Sequence, residues 1–241
     1  MKTIYRIFIL FVLSGCTAAQ INQALSDASG IIEGGGAAAL TTEEVGNGLK
    51  EALIKGISKG SDQASALDGY FKNPKIKIPF PPEVQKVEDK LRQLGMNKLV
   101  DDFILSLNRG AENAAQEAKP IFITAIKSLT VQDAWGILKG DKNAATVYLK
   151  RTTNQQLYDK FKPIVAQSLD KVNATKYYTD MITTYNKIPF VDKVNPDLQD
   201  YATNKAIDGL FVLVEEEEGK IRENPVERTT DLLRKVFAQQ D

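Results

Sequence analysis

Residues 41–57, TTEEVGNGLKEALIKGI, decide the fold class of this chain. The apolar residues Val45, Leu49, Leu53 and Ile57 recur every four positions, so one face of a helix carries all of them. The threonine and glutamate residues before them supply a helix N-cap and negative charge in the first turn. The stretch therefore predicts an amphipathic α-helix that buries one face against other helices.

The same helical period recurs along most of the downstream chain. It predicts helices at 84–94, from 99 through the alanine-rich 111–118, from 120, near 135, from 144 to beyond 157, and at 175–187, 196–214 and 226–239. Two short segments, Lys75–Pro82 and Asn186–Val191, break on prolines and predict extended connectors. We therefore predict an all-α fold, a single multi-helix bundle with short extended proline-containing connectors.

The N-terminus has the parts of an export signal followed by a lipidation site. Lys2 and Arg6 supply positive charge, and residues 7–15 give a short apolar core and then small residues before Cys16. This order is typical of a bacterial lipoprotein, in which the cysteine thiol receives a diacylglycerol and becomes the first mature residue. Two alternatives stay open: cleavage a few residues downstream of an ordinary signal cysteine, or a buried core thiol.

The signal also predicts where the protein resides. Thr17 occupies the position at which an aspartate favours retention in the inner membrane, so we expect the periplasmic face of the outer membrane, with Cys16 as the lipid anchor. Residues 1–15 are the predicted signal peptide, 16–40 a flexible tether rich in glycine and alanine, and 41–241 the helical domain.

Composition excludes several classes of function. The 241 residues include 31 basic and 31 acidic side chains, so there is no basic excess to favour nucleic acid as a partner. Histidine is absent, which rules out serine–histidine and cysteine–histidine nucleophiles and histidine-containing zinc sites. With Cys16 acylated, the domain has neither a thiol nor a disulfide. We predict no cofactor and no metal, although carboxylate acid–base chemistry remains possible.

Several polar residues are candidates for a ligand site or a structural polar cluster. They lie within one helical turn or near predicted helix ends: Asn108, Arg109, Glu112, Asp133, Thr146, Tyr148, Glu218 and Arg222. Arg109 offers a two-pronged hydrogen-bond donor to an anionic ligand, whereas its spacing to Glu112 also suits a structural ion pair within the helix. We predict structural roles for these clusters and assign no catalytic residue.

The acidic run Glu215–Glu218 has two interpretations. It is either a carboxylate cluster for calcium or magnesium, or a solvated stretch of helix in which Glu218 pairs with Arg222 four residues later. Consecutive helix residues point in different directions and no calcium-loop motif is present, so we predict the solvated helix. Tyr177, Tyr178 and Tyr185 either line a groove or lie in the core.

Short strings along the chain resemble one bacterial family. In order, these strings are Gly48–Leu53, Gly69–Phe71, Ile76–Pro79, Asn108–Glu112, Asp133–Ala134, Ile137–Gly140, Ala144–Tyr148, Asp208–Phe211 and Ile221–Pro225. Together they resemble the domain-of-unknown-function family numbered 4197 over about residues 40–239, with Gly110 standing where the family usually has alanine. The resemblance implies an exported, mostly helical protein and no assigned activity.

Two functions are compatible with the sequence. The first is an exported, lipid-anchored helical envelope protein without catalysis, which binds an envelope protein or a small apolar or anionic ligand in a groove between helices. The alternative is a carboxylate-dependent hydrolase acting on envelope glycans or lipids. Two carboxylates that converge in a cleft, one with a raised pKa, would favour the hydrolase, whereas an apolar groove without them would favour binding.

Overall fold

The computed structural model describes residues 41–171, 173–187, 189–190, 193–195, 197–224, 227–228, 230, 234 and 236. Residues Thr42–Asp241 form one compact unit. The predicted signal peptide, Cys16 and the tether lie outside the described residues, as does most of the helix predicted at 226–239.

The described residues form eight α-helices and no strand, so the all-α prediction is confirmed. The helices are α1 (Thr42–Ser65), α2 (Gln85–Gln93), α3 (Asn97–Ala115), α4 (Ala118–Lys127), α5 (Val131–Lys139), α6 (Ala144–Asp170), α7 (Ala174–Tyr185) and α8 (Leu198–Glu223). A short 3₁₀ turn, Pro82–Val84, precedes α2. These helices pack as a bundle around a common core.

The boundary between two predicted helices lies earlier in the structure than in the sequence pattern. The pattern predicts one helix from residue 99 through residue 118 and another from residue 120, whereas α3 ends at Ala115 and α4 begins at Ala118. Pro120 explains the break, because its ring would clash with the carbonyl group of Gln116 and it has no N–H for a continuous helix. It is instead accommodated in the first turn of α4, where no intrahelical donor is needed.

The core lies between α1, α3, α6 and α8. Helix α3 packs against α6, α6 against α8, and α8 against α1. The predicted apolar face of α1 is buried, with Val45, Leu49, Leu53 and Ile57 all at most 7% exposed. The four-residue period of the opening sequence therefore identifies the face of α1 that contacts the bundle.

The segment between α1 and α2, the connector, consists of turns over residues 67–72 and 74–76 and lacks regular secondary structure over 77–81. The extended conformation predicted for Lys75–Pro82 is therefore wrong at Lys75 and Ile76, which lie in a turn, and at Pro82, which begins the 3₁₀ turn. Tyr70, Ile76, Ile78 and Phe80 are buried against the helices, each at most 5% exposed. The Tyr70 hydroxyl donates a hydrogen bond to the carbonyl oxygen of Ala206 in α8 at 2.5 Å, and burial raises the pKa of this tyrosine. The connector therefore contributes four buried side chains to the core, although it also contains exposed residues such as Leu67.

Candidate functional site

Glu112 in α3 fixes the turn that begins the connector. Its carboxylate is 3% exposed, and its Oε1 accepts hydrogen bonds from the backbone N–H groups of Tyr70 and Phe71, both at 3.1 Å. Its Oε2 accepts a hydrogen bond from Arg109 at 2.5 Å, and Arg109 also donates to Asp68 at 2.7 Å. Both carboxylate oxygens are therefore engaged by the protein itself.

The charges around Glu112 stabilise one another. Burial disfavours the charged guanidinium of Arg109, but its hydrogen bonds to Glu112 and Asp68 outweigh burial and raise its pKa. Hydrogen bonds from Lys72 and Arg109 hold the pKa of Asp68 below its usual range. The two terminal nitrogens of Arg109 thus both bind carboxylates of this chain, as in a structural ion pair. Neither of them is directed to an anionic ligand.

Asn108 holds the middle of the connector in the way a neighbouring strand would. Its Oδ1 accepts a hydrogen bond from the N–H of Ile78, and its Nδ2 donates to the carbonyl oxygen of the same residue, both at 2.8 Å. Nδ2 also donates to the carbonyl oxygen of Ile104 in α3. Asn108 is fully buried, so this amide satisfies backbone groups that water does not reach.

Glu218 and Arg222 of α8 connect the ends of two other helices. Oε1 of Glu218 accepts from the N–H of Ala145 at 3.0 Å, and Oε2 accepts from the N–H and the hydroxyl of Thr146 at 2.8 Å. These donors belong to the first turn of α6, where a carboxylate also interacts favourably with the helix dipole. Arg222 bonds Glu218 and donates to the carbonyl oxygen of Ile137 near the end of α5.

The prediction that the acidic run is a solvated helix is wrong for its second half. Glu217 and Glu218 are 3% and 7% exposed, because half of the run faces the bundle. Glu217 forms ion pairs with Lys59 of α1 at 3.1 Å and with Lys220 at 2.5 Å. The hydrogen bond with Glu217 raises the pKa of Lys59. The sequence pattern identified Arg222 as the partner of Glu218. It did not identify Lys59 as the partner of Glu217, because Lys59 lies more than 150 residues away.

Asp133 and Tyr148 form a third group at the start of α5. The side chains of Thr130 and Asp133 each accept a hydrogen bond from the other's backbone N–H, which is a capping box. Hydrogen bonds from Thr130 hold the pKa of Asp133 below its usual range. Tyr148 is half-buried, its ring stacks near the guanidinium of Arg151, and burial raises its pKa.

The predicted polar residues thus fall into three separate groups, each centred on a carboxylate. The structure brings Thr146 together with Glu218 and Arg222, a contact that the sequence did not reveal. Most of these side chains bond backbone groups at helix ends or in the connector, as structural clusters do.

A groove that the polar motifs did not indicate lies between α2, α3 and α7. Its volume is about 490 Å³, within the usual range of small-molecule sites. The lining is almost entirely aliphatic or aromatic and consists of Phe80, Val87, Leu91, Met96, Leu99, Val100, Asp102, Phe103, Ala174, Tyr177 and Tyr178. Asp102 is the one charged residue among these, and it is ion-paired with Lys98 at 2.5 Å.

Helix α2 forms one wall of the groove. It is strongly amphipathic, and Val87 and Leu91, four residues apart, line the groove, yet none of its nine residues is buried. Its link to α3 includes Gly95, whose φ of +77° favours glycine, and an ion pair from Arg92 to Asp101 at 3.0 Å. The apolar face of α2 is therefore not covered by other parts of the described chain, and covering it would be energetically favourable.

The floor of the groove is closely packed, and α7 forms the opposite wall. The rings of Phe80 and Phe103 pack with centroids 4.8 Å apart, and Val100 is 1% exposed. Tyr177 and Tyr178 of α7 line the opposite wall, while the side chain of Tyr185 lies outside the described residues. Burial raises the pKa of Tyr178 to about 12, so its ring meets the groove as a neutral phenol.

The buried carboxylates lie in the core and not in the lining of this groove. The buried glutamates Glu112, Glu217 and Glu218 are absent from its described lining. Hydrogen bonds from Asp200 and Lys162 outweigh the effect of burial at Asp197 and hold the pKa of that carboxyl below its usual range. The groove therefore offers apolar surface with polar groups at its edge.

In the part of the chain that the structure describes, no three acidic or cysteine side chains are grouped so as to hold a metal ion. None of the helices described is by itself long and apolar enough to cross a membrane. One bent combination, Asn97–Lys127 with Val131–Lys139 at 108°, meets the criteria of length and composition.

Comparison with known proteins identifies the family of this chain. A family model described as "Protein of unknown function (DUF4197)" matches residues 39–238. No curated protein and no solved structure matches the chain. The matched segment contains all eight helices of the described part, and it confirms the resemblance found in the short motifs. The chain belongs to the DUF4197 family of proteins of unknown function.

Proposed function

We propose that this protein is exported, anchored to the membrane through a lipid on Cys16, and binds the acyl chain of an amphiphile without catalysis. The observation that carries the proposal is the apolar groove between α2, α3 and α7. The order of charged, apolar and small residues before Cys16 supports export and lipid anchoring, and Thr17 after it supports the periplasmic face of the outer membrane.

The chemistry of the lining favours an acyl chain over a polar ligand. Specific recognition of a sugar or a nucleotide needs several hydrogen-bonding groups that converge on the ligand. This groove presents methyl, methylene and ring carbons instead, and its charged residue, Asp102, is already paired with Lys98. An acyl chain gains free energy from contact with such a surface at about 0.8 kcal/mol for each buried methylene group. Its polar head would remain at the edge.

The alternative, a carboxylate-dependent hydrolase, receives no support from the groove. That chemistry needs two carboxylates beside the scissile bond, one of which is kept protonated. Glu112 and Glu218 are the buried carboxylates closest to this description, but both bond backbone N–H groups and an arginine. Both oxygens of each carboxylate are therefore engaged by groups of this chain, and neither glutamate lines the groove.

Filling the groove should weaken binding. Ala174 lines the groove and is 3% exposed, so the variant Ala174→Phe places a ring in the space that the acyl chain would occupy. We expect at least tenfold weaker binding of dansyl-labelled undecanoic acid, since excluding about two methylene groups costs about 1.6 kcal/mol. The measurement is a fluorescence titration of the domain Thr42–Asp241.

Two further variants make this titration decisive. Ala66→Phe adds the same ring at an exposed position and should bind the probe like the wild type. Val87→Asp places a carboxylate on the groove wall of α2, a helix that buries no residue, and should also weaken binding. The proposed site would be refuted if the wild-type protein did not bind the probe. It would also be refuted if all three variants bound the probe as well as the wild type does.

Lipidation is tested separately from binding. Cells that express the full chain should incorporate an alkynyl fatty acid into the protein, and Cys16→Ser should lose the label because the acceptor thiol is gone. The label is detected by click chemistry on the purified protein. A Cys16→Ser protein that still carries the label would show that the anchor lies elsewhere or that the protein has none.

A further inference from the structure

The mouth of the groove is surrounded by exposed apolar side chains. Leu94, Met96, Leu99 and Tyr177 are 64%, 42%, 48% and 65% exposed. They are four of the nine large apolar residues that are exposed in the described part of the chain, and three of them also line the groove. Single exposed apolar residues are ordinary, but a cluster of this kind marks an interaction surface.

We infer that these four residues, the apolar rim, rest on the surface of a phospholipid bilayer, so that the groove opens toward the lipid. The inference builds on the proposed function, because it names the source of the acyl chain. A groove that opens to water would expose an acyl chain to solvent along the whole path from a membrane. An apolar rim in contact with the bilayer removes that barrier.

The composition of the rim fits a lipid surface better than a protein partner. Tyrosine with its apolar ring and polar hydroxyl is enriched at membrane–water interfaces, and leucine and methionine insert among acyl chains. Lys176 directly precedes Tyr177 of the rim, whereas Lys86 and Lys90 precede Val87 and Leu91 of the groove wall, and all three lysines are exposed. With the rim on the bilayer, the ammonium groups of lysines close to it would contact the phosphate groups of the lipids.

The charge around the rim is mixed and not strongly basic. Glu88 and Asp101 pair with Arg92, and Asp102 pairs with Lys98. The attraction to anionic lipids is therefore a secondary contribution, and insertion of the apolar rim is the main one. Binding should accordingly depend only weakly on salt concentration, unlike binding through a polybasic patch.

The test is flotation of the protein with vesicles of phosphatidylethanolamine and phosphatidylglycerol at three to one. The domain Thr42–Asp241 is used, because it is a compact unit with its own core and lacks the apolar N-terminal segment, so flotation reports on the domain alone. We expect the wild-type domain to float with the vesicles. The triple variant Leu94→Gln, Met96→Gln, Leu99→Gln should lower its partition coefficient at least tenfold.

A matched control removes the same kind of surface elsewhere. The triple variant Leu67→Gln, Val131→Gln, Val147→Gln changes residues that are 77%, 51% and 58% exposed and lie outside the groove lining. It should float like the wild type. A wild-type domain that stays in solution, or two triple variants that lose flotation equally, would overturn the inference, as would a rim that instead mediates dimerisation in sedimentation experiments without lipid.

The two proposals fail in different ways. If the domain binds the dansyl probe but not vesicles, the groove is a ligand site and the membrane contact is refuted. If the domain floats through its rim but binds no probe, the membrane contact stands and the acyl-chain function is refuted. Ala174→Phe separates them further, because it should lose the probe and keep the vesicles, since Ala174 is buried and not part of the rim.

Discussion

Replacing Glu218 with alanine is expected to lower the free energy of unfolding by about 4 kcal/mol, the range measured when one partner of a buried ion pair is removed. The side chains of Glu218 and Arg222 are 5% and 10% exposed, so the remaining guanidinium would have little access to water. The N–H groups of Ala145 and Thr146 would lose their acceptor as well. Urea denaturation, followed by circular dichroism, measures the change.

A second substitution separates the charge of Glu218 from its shape. Glu218→Gln keeps the side-chain volume and one carbonyl acceptor, but it places an NH₂ group among donors, so we expect a loss of about 2 kcal/mol. Glu51→Ala, an exposed glutamate in α1, is the control and should change stability by less than about 0.5 kcal/mol. If Glu218→Ala costs no more than the Glu51 control, Glu218 does not hold α5, α6 and α8 together.

Glu112→Ala should lower the free energy of unfolding by about 3 kcal/mol, somewhat less than Glu218→Ala. The substitution leaves the N–H groups of Tyr70 and Phe71 without their hydrogen-bond acceptor. It also removes one of the two carboxylates that neutralise Arg109. The guanidinium is 32% exposed, so water solvates it in part and limits the loss.

The position of the loss is as informative as its size. Because Glu112 holds the connector, its removal should increase amide hydrogen exchange at residues 69–78 before it affects α6 and α8. Hydrogen exchange with mass spectrometry resolves these segments. Uniform acceleration across the domain, with no excess at the connector, would contradict the role assigned to Glu112.

The helical fold was predictable because the spacing of apolar residues along the sequence indicates helices. The four-residue spacing of Val45, Leu49, Leu53 and Ile57 identified the buried face of α1, and the i,i+3 and i,i+4 spacings identified Arg109–Glu112 and Glu218–Arg222 as pairs. What the sequence could not supply were partners from distant segments. Tyr70 contacts Glu112 across 42 residues, and no local pattern encodes such a contact.

The groove was not predicted from the sequence, because it too depends on contacts between distant segments. Val87 and Leu91 have the spacing of a buried helix face, and nothing local distinguishes such a face from one that lines an open cavity. Exposure of that face follows from where α3 and α7 lie relative to α2, which is a property of the whole bundle. Similarly, the acidic run looked solvated because the lysine that pairs with Glu217 belongs to α1.

The central claim is that the groove between α2, α3 and α7 holds an acyl chain, and native mass spectrometry of the domain after incubation with a lysophospholipid tests it most directly. We predict a one-to-one adduct for the wild-type protein and for Ala66→Phe, and its loss in Ala174→Phe. The absence of an adduct in the wild type, or an adduct that persists in Ala174→Phe at the wild-type level, would contradict the claim.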